Sequence, residues 1–490
     1  MKSFKTLKPQ PVWSFFLEIC KIPRASKRED KIIQYLLDFG RKYQLETKRD
    51  KTGNVLIRKP ATKGYENHKP IVLQSHMDMV CDKNAETLFD FENDPIQPFI
   101  DGNWIKAKGT TLGADDGIGI AAQLAILFSN EINHGPIECL FTIDEETGMS
   151  GAKNIKPGFF SGKILINLDS EDEGELFIGC AGGIDTVATL QYKTRKVPDK
   201  SVAFTISLTG LKGGHSGDEI HKGLGNSVKI LNRFLRNATH KHKIMLNDFN
   251  GGNFKNAIPR EAFATFTLKR KKQDHLEQFF TEFSTEIKNE FTITEPELNL
   301  KLEKTTLPAN VMSKSTQRKL LNALYACPHG VVAWSQEIKG LVETSTNLAS
   351  IKIIGGEQIM VITSQRSSVE SAKKDISDRV ASVFSLAGAK IEHSGGYPGW
   401  KPDTNSEILR ITEISYKKLF NKKPIVRAIH AGLECGLFLE KYPGLDMISF
   451  GPTIRGVHSP EERLDITTTE KFWDLLIDVI QNIPEKVFRV

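Results

Sequence analysis

Three short apolar runs constrain this chain more than any other feature: PIVLQSH (70–76), PIECLFTIDEE (136–146) and GKILINLDSE (162–171). Each is a nearly continuous run of aliphatic residues, as expected of strands buried on both faces of a parallel sheet. Each also ends in His, Asp or Glu. Between the first two lies GADDGIGIAAQLAILFS, whose Gly and Asp residues precede an apolar helical stretch. Strand, loop, helix, strand is the order of an α/β domain, and open sheets of that kind gather ligands at the carboxyl ends of their strands. Upstream, Pro23 breaks the chain and Ser26-Lys27-Arg28-Glu29 predicts a capping-box start to a helix with Ile32, Ile33, Leu36 and Leu37 at helical spacing.

From about residue 185 the pattern changes to alternation, as in SVAFTISLTG (201–210) and AFATFTLKRK (262–271), which predicts half-exposed antiparallel strands. Helices are expected at Asn226–Arg236 and near Asp274–Glu290. After the turn-rich GGYPGWKPD (395–403), a helix at Ser406–Leu419, a buried strand in DMISFGP (446–452) and a last helix return to the first pattern. The expected fold is therefore α/β: a split domain, 1–184 and 396–490, with a central, mostly parallel sheet, interrupted by an inserted α+β domain over 185–395.

Lys and Arg total 66 against 60 Asp and Glu, so the net charge of +6 is spread thinly and forms no concentrated basic tail. Nucleic-acid binding is not indicated. Apolar stretches such as Ile118–Phe128 fall short of the ~18 residues of a membrane span, and no export signal is read at the N-terminus. Six scattered cysteines without a Cys-x-x-Cys pair point to reduced thiols in a cytoplasmic protein.

The chemistry-bearing residues sit at the ends of the apolar runs. Alternation turns His76 and Asp78 to the same side, so that an imidazole can bind a metal while the carboxylate holds its other N–H; an ordinary surface histidine is the alternative. Asp115-Asp116 enters a helix, where acids also serve as caps. Glu145-Glu146 is different in kind, because adjacent carboxylates at a buried strand end repel each other and need a counter-charge. Asp169 ends another run, and His458 lies in the loop GPTIRGVHSP. A metal site accounts for all of them economically. Two histidines and several carboxylates without cysteine suit zinc, manganese or cobalt better than calcium, and a carboxylate bridging two metals explains why so many acids converge.

The strings SHMDMV, GTTLGADDGIGIA, DEETGMSGA, NLDSEDEGE, GGHSG and GVHSPEER follow one another along almost the whole chain. In that order they resemble the co-catalytic di-metal peptidases, a family that includes carnosinases and aminoacylases. NAIPREA, VETSTNLAS, TSQRSS and HAGLECGLF are similar to its Xaa-His dipeptidase branch. Asp116 departs from the pattern, since relatives commonly have Asn there. The resemblance implies a zinc-exopeptidase fold with a lid, two divalent metal ions (zinc first, manganese or cobalt otherwise), and hydrolysis of small unblocked L-dipeptides, Xaa-His and carnosine-like ones included. It makes His76 and Asp169 ligands of one metal, Glu146 and His458 ligands of the other, and Asp115 the bridge, followed by a cis peptide bond. Asp78 would orient His76, and Glu145 would be the general base toward a water held between the metals. In the lid, His215 would stabilise the oxyanion, within its own chain even in a homodimer, and Asn256 and Arg366 would hold the substrate's carboxylate. Glu434 is a candidate for the substrate's amino group, with a structural helix role as the alternative. Other branches of the family, such as tripeptidases, carboxypeptidases or deacylases, and a peptide-binding protein that has lost the chemistry are the competing readings.

Overall fold

The computed structural model describes residues 3–486, so the extreme ends of the sequence-drawn domains, residues 1–2 and 487–490, lie outside it. The chain divides into two compact units. One comprises the residues up to Gly179, Pro402–Ala428 and those from Leu433 onward; the other is Cys180–Lys401 with Ile429–Gly432.

In the first unit, four parallel strands form the middle of an eight-stranded sheet, in the order Ile137–Thr142, Ile71–His76, Ile164–Asn167, Asp446–Ser449. Every residue of the first three is buried, which is why their sequences read as continuous apolar runs rather than alternating ones. Val55–Lys59 and Glu46–Arg49 extend one side of the sheet, and Glu175–Cys180 and Ile425–Ile429 the other. The helix Ala114–Phe128 packs on Ile71–His76 and on the helix Gln10–Ile19, and is buried on nearly all sides. The helices Glu407–Phe420 and Ile466–Gln481 pack together. Because the four central strands run in one direction, His76, Thr142, Asn167 and Ser449 all stand at one edge, and the segments that follow them carry Asp78, Glu145, Glu146, Asp169 and His458, while Asp115 opens the helix Ala114–Phe128.

The strand expected to run through Glu146 stops at Thr142: Asp144 adopts the left-handed conformation and Glu145–Gly148 forms a single helical turn. The expected capping box is also absent. The helix begins at Asp30 with no side-chain cap from Glu29; Ser26 and Glu29 are engaged elsewhere, as described below.

The second unit is a nine-stranded sheet in which every registered pair is antiparallel. It begins at the strand Gly182–Gln191, and a bridge between Cys180 and Trp400 joins its two ends. Alternation survives in Ser201–Thr209, whose register places Phe204 opposite Phe266 of Ala262–Lys269. The helices Ser227–His242, Gln273–Glu290, Lys314–Ala326 and Glu370–Leu386 belong to the same unit. Asn226 caps the first of these through Lys229 N, and the helix outlasts the expected Arg236 because its last turn is polar and carries no apolar periodicity.

Phe234 is fully buried and its ring lies 5.3–6.2 Å from those of Phe266, Phe279, Phe280 and Phe283. Truncating such a residue removes its transfer free energy and leaves a cavity. Phe234→Ala should therefore cost the second unit about 3–5 kcal/mol, read as lost amide protection in Ala262–Lys269 by hydrogen exchange; a loss below about 1 kcal/mol would mean that the site collapses freely.

Candidate metal centre

Asp115 stands at the centre of the first unit's polar cluster. Its Oδ1 lies 3.0 Å from His76 Nε2, and its Oδ2 lies 3.2 Å from His458 Nε2. Each imidazole also meets a second carboxylate: His76 Nε2 is 3.3 Å from Asp169 Oδ1, and His458 Nε2 is 2.9 Å from Glu146 Oε2. Two sets therefore form, His76/Asp115/Asp169 and Asp115/Glu146/His458, with a third grouping of His76 with Glu145 and Glu146 between them. The shared residue is the one at which the backbone leaves helical geometry, and the Asp115–Asp116 bond is cis. Asp116 faces inward and accepts the N–H of Gly119 at 3.1 Å, the cap role open to an acid at that position.

Several interactions fix these side chains. Asp78, fully buried, accepts the N–H groups of Glu145 (3.0 Å) and Glu146 (3.2 Å) and the hydroxyl of Ser26 (2.8 Å), tying the glutamate turn to the end of the His76 strand. Its Oδ1 is 3.4 Å from His76 Nδ1, close enough for ion pairing but not aligned as a hydrogen bond. Glu29 accepts the N–H groups of Lys27 and Asp144 instead of capping its helix.

Two residues that the sequence motifs did not single out hold the Asp115 loop. The buried carboxylate of Glu462 accepts the N–H groups of Leu112, Gly113, Ala114 and Asp115 at 2.7, 2.9, 2.7 and 3.3 Å. Arg24, also buried, donates to the carbonyls of Met77, Asp78 and Gly113, joining the segments that carry His76 and Asp115. Gly113 has φ of +68°, and a Cβ there would press on Arg24 and Met79.

The electrostatics call for cations. Asp78, Asp115, Glu145, Glu146 and Asp169 surround two imidazoles, so five carboxylates face at most two positive rings. Burial opposes a charged His76, but Asp169, Asp115 and Asp78 outweigh it and raise the pKa well above the ordinary histidine value. Hydrogen bonds to Asp115 and Glu146 push His458 up to about 11. Burial pushes Glu145 up to about 8, with the charges of Glu434, Glu146 and Asp115 adding to the effect and His76 opposing it. The buried Glu146 Oε1 has no hydrogen-bond partner. The donor set fits a metal: nitrogen and oxygen atoms 2.9–3.3 Å apart match the ~3.3 Å edge of a tetrahedron with bonds of ~2.0 Å, the zinc geometry. Glu145 is set apart, since its carboxylate has no hydrogen-bond or ion-pair partner among the described residues, whereas Glu146 faces His458.

Glu434 opens the helix Glu434–Lys441 and is 1% exposed. Its Oε2 receives Gln74 Nε2 (2.8 Å) and Thr142 Oγ1 (2.7 Å), tying the helix to two central strands, while Oε1 is unpartnered; burial pushes its pKa up to about 7. In the second unit, the short strand Gly214–His215 pairs with Ala257–Ile258, and Ser216 N donates to the Asn256 carbonyl. The Asn256 side chain belongs to an exposed residue. His215 Nδ1 is 3.1 Å from Asp218 Oδ2. Arg366 is buried, donates to the Tyr397 hydroxyl at 3.1 Å and leaves Nε unpartnered. Asp218 is held below its ordinary range against burial by His215, with Arg366 and His430 contributing, so these four groups form one electrostatic cluster. His430 also meets Ser345 Oγ at 2.7 Å.

A family model described as Peptidase family M20/M25/M40 matches residues 72–482, which include every ligand candidate. The chain belongs to this family. It is 45% identical over 486 residues, 99% of this chain and 100% of the other, to the cytosol non-specific dipeptidase of Escherichia coli. The crystal structure of aminoacylhistidine dipeptidase from Vibrio alginolyticus superposes with a TM-score of 0.94 at 47% identity, covering 99% of both chains. Aminopeptidase PepT from Bacillus cereus shares the fold alone, with a TM-score of 0.59 at 16% identity over 97% of this chain and 99% of that one. This M20 chain is thus a peptidase of a metal-dependent family, with the α/β catalytic architecture expected from its sequence. No helix among the described residues is long and apolar enough to cross a membrane.

The Glu462 clamp gives a direct test on this M20 site. Glu462→Gln replaces one accepting oxygen with an amide that points hydrogens at backbone N–H groups, so the Asp115 loop should loosen and metal affinity should fall about 10–100-fold, the range for residues that support ligands from behind. Competition with a chromophoric chelator measures this; unchanged affinity would show that the loop holds its shape without the clamp.

Proposed function

We propose that this chain hydrolyses unblocked L-dipeptides in the cytoplasm with two divalent cations, zinc first and manganese or cobalt as alternatives. His76 and Asp169 would hold one, Glu146 and His458 the other, and Asp115 both. The observation that carries the reading is the division of Asp115's two oxygens between two imidazole–carboxylate sets. The 45% identity over the full length to a dipeptidase named as cytosolic supports the substrate class and the compartment, and the name of the Vibrio protein supports Xaa-His substrates.

Cations bound there supply Lewis-acid polarisation and lower the pKa of water. Glu145, which lies outside the two sets that share Asp115, takes the proton of the attacking water and delivers it to the leaving amine. Asp78 keeps His76 in place from its Nδ1 side. His215 donates a hydrogen bond to the oxyanion. Asn256 and Arg366 hold the substrate's C-terminal carboxylate, for which a guanidinium is well suited, and Glu434 pairs with its ammonium group.

A panel of free dipeptides, N-blocked dipeptides and tripeptides on enzyme reconstituted with each metal tests the substrate class; preference for the blocked or longer peptides would overturn it. Glu145→Gln should lower kcat by about 10²–10⁴-fold with both metals retained, while Glu146→Gln should weaken metal binding. Metal loss from the Glu145 variant would exchange the roles of the two glutamates.

A further inference from the structure

The second unit contains a groove of about 730 Å³ that shares no residue with the metal cluster. Its walls carry Arg195, Arg236, Lys243, Lys269, Lys271, Lys272, Lys314 and Arg318, with His240 and His242, and no carboxylate lines it. Folding creates this concentration. Two basic runs, His240–Lys243 at the end of one helix and Lys269–Lys272 at the end of the interior strand Ala262–Lys269, meet the first turns of the helix Lys314–Ala326. None of the eight Lys and Arg side chains forms an ion pair among the described residues; Lys243 reaches only the His240 carbonyl, and Arg236 only Asn322 and the face of Tyr325. Cations gathered without counter-charges repel one another, and the pKa of His242 is lowered by burial and then by Lys272 and Lys241. The floor is apolar, formed by Pro198, Ile244, Met245 and Leu321.

We propose that this groove binds a compact polyphosphate anion, either an inorganic polyphosphate chain or the phosphate tail of a nucleoside polyphosphate. The volume lies within the ~300–1,000 Å³ of small-molecule sites, and closely spaced phosphates are the anions that engage several Lys and Arg groups at once. The concave shape does not suit a duplex. No Phe, Tyr or Trp lines the groove, so it lacks the stacking platform by which single-stranded nucleic acids are held. The apolar floor offers a place for a nucleoside beside the phosphates.

The test is calorimetric titration of the metal-loaded enzyme, with excess magnesium at 0.15 M salt, using tripolyphosphate and ATP as separate probes. Binding of either supports the proposal: equal affinities identify the phosphate chain as sufficient, and tighter binding of ATP assigns the floor to the nucleoside. The double reversal Lys243→Glu/Arg318→Glu, both at exposed positions, removes two charge-assisted contacts and should weaken binding about 10²-fold with dipeptide turnover unchanged. A control reversal of the same charge, Lys339→Glu/Lys374→Glu, should leave affinity within about 3-fold after the non-specific loss from net charge. The proposal is overturned if neither probe binds, if the control loses as much as the groove variant, or if polyglutamate or a single-stranded oligonucleotide binds more tightly than both probes.

Discussion

The polar cluster of the first unit depends on one carboxylate serving two imidazoles. Asp115 lies between His76 and His458, which come from positions hundreds of residues apart in sequence, and its oxygens are close to both rings. A side chain can hold that position only if its backbone cannot move. Glu462 supplies the constraint by accepting four successive N–H groups of the loop, and Arg24 adds a second from the carbonyl side. Glu462 lies four residues after His458, so the segment that carries this imidazole also clamps the loop that carries Asp115.

The same cluster is a poor design for a protein without cations. Buried carboxylates repel one another, and an ion in a low-dielectric site is costly unless paired. Five acids against two histidines leave negative charge that the raised pKa values of Glu145 and Asp169 reflect, in both cases with burial as the leading cause. Divalent cations remove that conflict, and of the five acids Asp78 and Glu145 are the two that stay outside the two ligand sets. Asp78 accepts the N–H groups of both Glu145 and Glu146 and so fixes the turn that carries the two side chains.

Much of this was legible in the sequence, for a physical reason. Parallel strands buried on both faces must be written as unbroken apolar runs, so Ile71–His76, Ile137–Thr142 and Ile164–Asn167 announce themselves, and the polar residue ending each run marks the edge where ligands collect. The supporting residues were not legible. Arg24 and Glu462 look like ordinary surface charges, since their partners are backbone groups that only the fold brings near. Ser26 and Glu29 carried the spacing of a capping box, yet tertiary partners won: Asp78 took the serine hydroxyl, and the N–H groups of Lys27 and Asp144 took the glutamate. Charge was equally deceptive. A net +6 over the whole chain gave no sign that eight Lys and Arg side chains would line one groove.

The central claim, that Asp115 belongs to both ligand sets, is tested most directly by counting metals on Asp115→Ala. Titration of apo protein with zinc, followed by isothermal calorimetry, should give two equivalents for the parent chain. In the variant both should weaken together, because each set loses a ligand. One equivalent bound with its original affinity would contradict the account and place Asp115 in a single site.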